Sequence, residues 1–93
     1  MTGGPYEVRI TARAARDLRR LPEKVASACV EFIFGPLARD PRRLAKPLVG
    51  ELAGHYAARR GSYRVVFRIP DRALVIAVVH IAHRADVYRW SEP

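Results

Sequence analysis

The stretch Tyr63 to Ile69 reads Tyr-Arg-Val-Val-Phe-Arg-Ile. In an extended chain side chains alternate, so Arg64, Val66 and Arg68 share one surface while Tyr63, Val65, Phe67 and Ile69 share the other. Further along stand His83-Arg84 and Tyr88-Arg89-Trp90. Guanidinium groups grip phosphate oxygens with paired donors, and imidazole exchanges protons near neutral pH. Aromatic rings offer planes on which unpaired bases stack. These side-chain types suit work on a phosphodiester backbone: holding it, stabilising extra negative charge on phosphorus, and moving a proton. Arginine serves the holding and the stabilising only, because it does not give up its proton near neutral pH. In the preceding segment His55, Ala57 and Arg59 share a face, and Tyr56, Ala58 and Arg60 share the other. Either register therefore adds an arginine to the basic surface.

Each of these residues also has a structural reading. Arg64 and Arg84 could each close an ion pair, Arg64 with Glu51 or Asp86. His83 could cap a turn, and Tyr88 could cover a sheet edge. His80 reads as structural or solvent-facing, and Cys29 as a small core residue on an apolar stripe.

The elements that must position them follow from periodicity. Tyr6, Val8 and Ile10 alternate with Glu7 and Arg9, which predicts a strand with one wet face. Thr11 is a suitable N-cap for a helix from Ala12 to about Leu21, with Ala14, Leu18 and Leu21 inward and Arg13, Arg16, Arg19 and Arg20 elsewhere. That basic face reads first as solvated, with RNA contact as the functional alternative. Pro22 and Glu23 open a second helix whose stripe is Val25, Ala28, Cys29, Phe32 and Ile33; it is expected to stop or kink at Gly35-Pro36. Residues 37–54, with Pro36 just before them and Pro41 and Pro47 within, are expected to hold little regular structure. Then come strands His55 to Arg60 and Tyr63 to Ile69 about a Gly61-Ser62 turn, a reversal at Pro70-Asp71-Arg72, and a strand Leu74 to Ala82 apolar on both faces. Asp86 to Trp90 would add a short helix or strand. The fold class is α+β: an N-terminal strand, two helices, then a three-stranded antiparallel meander.

Ninety-three residues are expected to form a single domain, 1–93, and 49% hydrophobic content excludes a disordered tail. The apolar run Ala73 to Ala82 is too short to span a bilayer and Met1 to Pro5 shows no signal core, so a cytoplasmic protein is expected. Cys29 stands alone, and His and Cys do not fall at zinc-ligand spacing; neither metal nor small-molecule cofactor is expected. Seventeen basic against nine acidic residues give a formal charge of +8, which favours a polyanionic partner, nucleic acid first and an acidic protein second.

With Gly61-Ser62-Tyr63-Arg64-Val65-Val66-Phe67 and His83-Arg84-Ala85-Asp86-Val87-Tyr88 following a strand and two basic helices, the chain resembles the RelE toxin ribonucleases of the RelE/ParE superfamily. The resemblance spans Tyr6 to Arg89. It implies a toxin that enters the ribosomal A site, cleaves messenger RNA there by attack of a ribose 2′-hydroxyl, and is neutralised by a RelB-like antitoxin. It implies Arg64 and Arg84 as phosphate-stabilising residues and Tyr88 as a catalytic or base-stacking tyrosine. Arg59, Arg60, Arg68, Lys46, His55 and Arg89 are the RNA-binding candidates around them. Some members carry lysines where this chain has His55, Ala57, Arg59 and Arg60. The proton acceptor is therefore open, with His83 first, His55 second and Lys46 third, and weaker activity is expected. Two alternatives keep the charge and discard the cleavage: a ParE-like inhibitor of gyrase, and a plain nucleic-acid-binding module.

Overall fold

The computed structural model describes residues 6–70 and 74–87. A first strand β1 (Glu7–Ile10) leads into helices α1 (Ala12–Arg20) and α2 (Glu23–Phe32). Thr11 caps α1: its Oγ1 accepts the Ala14 N–H at 3.2 Å and donates to the Val78 carbonyl at 3.0 Å. One side chain thus satisfies an orphan donor of the helix and ties the helix to the sheet.

The α2 helix does not stop dead at Gly35-Pro36. Its α-helical bonding ends at Phe32, and the chain widens into a π-helical turn, Ile33–Leu37, that carries Pro36 within it. Proline has no N–H and crowds the preceding turn, and a wider turn relieves both.

Residues 37–54 correct the expectation of little regular structure. They hold a short helix α3 (Pro41–Leu44), a strand β2 (Ala45–Pro47) and a 3₁₀ turn (Gly50–Leu52). β2 pairs antiparallel with β3 (His55–Arg60), Lys46 standing opposite Ala57. β3 turns at Gly61-Ser62 into β4 (Tyr63–Arg68), and Gly61 takes φ of 61°, as both tight hairpin turns require at their first central residue. β4 pairs antiparallel with β5 (Val75–His83), which runs one residue past the expected end at Ala82.

The meander β3-β4-β5 is as the alternation predicts, and it is part of a larger sheet of order β1-β5-β4-β3-β2. β5 is flanked on both sides because β1 joins it in parallel, Glu7 opposite Val75 and Ile10 opposite Val78. A bulge between Val66 and Phe67 shifts the β4–β5 register, so Val66 faces His80 while Phe67 faces Val78. The helices cover the Phe67 face. Ala14, Cys29, Ile33 and Leu37 pack there with Ala58, Val65, Phe67, Ile76, Val78 and Ile81. Val66 and Val87 are fully buried outside that cluster, so the second face is not bare. No helix among the described residues is long and apolar enough to cross a membrane.

Candidate functional site

Register decides which side chains meet. Arg59 stands directly opposite Arg64, and Arg64 opposite Ala82, on the face away from the helix-side core. Lys46 stands opposite Ala57, two residues before Arg59 and hence on the same face. Arg84 follows the end of β5, where its backbone N–H donates to the Ser62 carbonyl at 2.7 Å and pins the chain to the β3–β4 turn. These four cations line one cleft of about 430 Å³, with Ala57, Leu44 and Leu48 as its apolar wall.

Two like charges set directly across a strand pair repel, and a fold normally answers with an acid nearby. Here the half-buried Arg64 gives Nη1 to the Tyr63 carbonyl at 3.4 Å, and no carboxylate among the described residues pairs with Arg59, Arg64 or Arg84. The ion pairs that form among the described residues lie elsewhere, Arg9 with Glu7 and Arg43 with Asp40. Neither Glu51 nor Asp86 closes the pair that the structural reading of Arg64 required. The cleft is a concave cationic surface whose repulsion a polyanion would relieve.

A second cleft, about 410 Å³, lies along α1 and is lined in part by Arg13, Asp17, Arg20, His80 and Asp86. Its polar groups serve one another. His80 Nδ1 is 2.8 Å from Asp17 Oδ2, and the same oxygen accepts the Ile81 N–H at 3.0 Å. His80 is buried and structural: with Asp17 it fastens α1 to the part of β5 beyond the end of β1.

The remaining sequence candidates separate. His83 stands opposite Tyr63, on the helix-covered face, with the two rings edge-on at 5.5 Å between centroids. Its Nδ1 accepts the Ala85 N–H at 3.1 Å, so the ring shapes the turn that carries Arg84 and does not line the Arg64 cleft. Arg60 also pairs with Tyr63 and lies on that opposite face, near Cys29. Burial pushes the Cys29 thiol up and Arg60 pulls it part of the way back; the sulfur is a core atom. His55 and Arg68 pair with each other at the far end of the hairpin, outside the cleft. Tyr88 and Arg89 lie outside the described residues. Leu44 and Leu48 were not among the sequence candidates. Their signal was faint, since leucines flanking Lys46-Pro47 look like any packed connection until β2 brings them to the sheet.

A profile of the family described as "ParE toxin of type II toxin-antitoxin system, parDE" matches residues 8–88. Toxin RelE of Mycobacterium tuberculosis is 59% identical over 87 residues, covering 94% of this chain and 90% of that one. Toxin RelG of the same organism is 51% identical over 85 residues, covering 91% and 98%. Among solved structures, the M. tuberculosis RelBE2 toxin–antitoxin complex contains a chain that superposes with a TM-score of 0.83 at 50% identity, covering 88% of this chain and 94% of that one.

Proposed function

The chain belongs to the RelE/ParE superfamily, as a toxin component of a type II toxin–antitoxin system, and from that premise we propose that it is a ribosome-dependent endoribonuclease. It cleaves messenger RNA in the ribosomal A site and is held inactive by a cognate RelB-like antitoxin. The observation that carries this reading is the cleft in which Arg59, Arg64, Arg84 and Lys46 converge with no carboxylate beside the arginines among the described residues.

Cleavage proceeds by attack of a ribose 2′-oxygen on the adjacent phosphorus, which leaves a cyclic phosphate and a free 5′-hydroxyl. The attacking group belongs to the substrate, so the protein supplies alignment, charge and proton transfer, without a metal. Arg64 and Arg84 bear on the phosphoryl oxygens, where negative charge accumulates as phosphorus becomes five-coordinate. Arg59 holds the neighbouring backbone as a positioning cation. Tyr88 remains assigned to stacking on the base or stabilising the leaving oxygen.

Primer extension on translated messages tests this. Wild-type toxin should leave discrete cuts within translated stretches. Arg64→Ala and Arg84→Ala should each slow cutting by about a hundredfold or more, the usual effect of deleting a donor to a transition-state anion. Equal cutting by all three would sink the assignment.

The name of the matching family profile keeps a second reading in play, a gyrase inhibitor of the ParE kind. It would trap gyrase on DNA and leave messages whole. The relatives at 59% and 51% identity are named toxin RelE and toxin RelG, and the first of these names favours ribonuclease action.

A further inference from the structure

Beside its four cations, the described lining of the Arg64 cleft consists of Leu44, Leu48 and Ala57, all apolar. Lysine and arginine donate hydrogen bonds and accept none, so no described side chain of the lining offers an acceptor. A polyanion as such would need only the cations. An apolar wall set against them matches a ligand with two sides, charged along one and apolar on the other. A single-stranded nucleotide has that form, with phosphate on one side and the flat face of an unstacked base on the other. The volume of about 430 Å³ lies within the roughly 300–1,000 Å³ of sites that take one small molecule, which suits one nucleotide unit.

The three apolar residues differ in what else they do. Ala57 has only a methyl group and stands between Lys46 on β2 and Val66 on β4. Leu44, at the end of α3, also packs against the helix-side core. Leu48 lies outside that core, is half-buried, and shares a face of the sheet with Lys46 two residues before it. Its backbone is fixed: the Leu48 N–H donates to the His55 carbonyl at 2.8 Å, which carries the β2–β3 pairing past Pro47, a residue with no N–H to give. Val49 follows in extended backbone, φ −124° and ψ 176°, and its exposed side chain is no part of the cleft lining.

We propose that Leu48 is a positioning and specificity residue: it receives the face of a base next to the scissile phosphate by apolar contact, while the arginines of the cleft hold the phosphate. The inference deepens the ribonuclease reading and rests on it. With the cations engaged on phosphate, which carries no sequence information, the reading of the base falls to Leu48. An apolar contact measures area and shape and is blind to the donors and acceptors on a base edge. Cut rates for the four bases at that position should therefore lie within about tenfold of one another. The contact also aligns. A base held against Leu48 fixes the sugar bonded to it, and with that sugar the line from the 2′-oxygen through phosphorus to the leaving oxygen.

The test is single-turnover cleavage on message-loaded ribosomes at rising toxin concentration, using messages that differ only in the bases flanking the cut. Leu48→Ala should lower the plateau rate about tenfold and even out the four bases. The half-saturating toxin concentration, set by the whole basic surface, should stay within about twofold. Leu48→Met keeps the volume and the apolar character, and should cut within about threefold of wild type with the same order of bases. Leu48→Asn keeps the size and adds a donor and an acceptor, so it should reorder the bases. Val49→Ala, next in the chain but outside the lining, should behave as wild type. Leu48→Ala cutting at the wild-type plateau with the wild-type order of bases would overturn the proposal. So would a uniform slowing with the order unchanged, which would reduce Leu48 to a wall of the cleft. Weaker antitoxin binding with plateau and order unchanged would also overturn it, by placing a protein on the leucine. If Arg64→Ala stopped cutting in the same assay, the ribonuclease reading would survive each of these outcomes. A wild type that cut no message would overturn that reading, and the role of Leu48 with it.

Discussion

The chemistry at the residue scale turns on which parity each side chain has along its strand. Alternation made Arg64 legible and left Arg59 and Arg60 as alternatives; the hairpin register, which sets Arg59 opposite Arg64, decides for Arg59. His83 was not legible, and the cause is physical. The bulge at Val66/Phe67 inserts one residue into β5, so Ile76 and Val78 before it and Ile81 and His83 after it all reach the helix-covered side. A strand apolar on both faces hides such a one-residue slip, because no polar alternation marks it. The outcome makes His83 a positioning residue for Arg84. His83→Asn, which keeps an acceptor for the Ala85 N–H, should cleave within a few-fold of wild type, and His83→Ala should fall somewhat further. Both should bind antitoxin normally and unfold within about 1 kcal/mol of wild type in urea, since the hydrogen bond removed is exposed. If His83→Asn cleaved as poorly as Arg64→Ala, the imidazole would be a proton carrier after all.

Among the elements, the long ones announced themselves and the short ones did not. The stripes of α1 and α2 and the alternation of β3 and β4 extend over enough residues to show a period. β2 has three residues, one of them Pro47, and exists because β3 offers it a partner. A tertiary pairing made it, so no local pattern records it, yet it carries Lys46 to the cleft. The attachment of α1 is equally non-local. Beyond Ile10 the outer edge of β5 has no strand beside it among the described residues, and Asp17 takes the place of a strand carbonyl by accepting the Ile81 N–H. Asp17→Ala removes the partner of that amide and one partner of the His80 ring together, the other being the Arg13 Nε–H. We expect a loss of about 1–3 kcal/mol in urea unfolding, measured in an Arg64→Ala background that spares the host. Asp17→Asn, which retains an acceptor oxygen, should lose less. An unchanged midpoint for Asp17→Ala would show that α1 is held by its apolar stripe alone.

For the whole molecule, a charge of +8 and a cleft of unneutralised cations predict binding that weakens steeply with salt. Log affinity for message-loaded ribosomes should fall linearly with log salt. Removing Arg59 and Arg64 together should flatten the slope by roughly 0.7 for each single-strand phosphate that is no longer neutralised. A slope unchanged by both substitutions would place the nucleic acid on another face. The same charge suits an antitoxin that covers the cleft with acidic side chains. Composition made the polyanionic partner legible; it could not reveal that early and late segments of the chain would lie side by side. Thr11 and Val78, bonded where β1 gives way to α1, are 67 residues apart in sequence. Pairings between such distant segments form late, because the loop between them must close first. Assembly of the sheet therefore waits on β5, the strand that lies between β1 and β4.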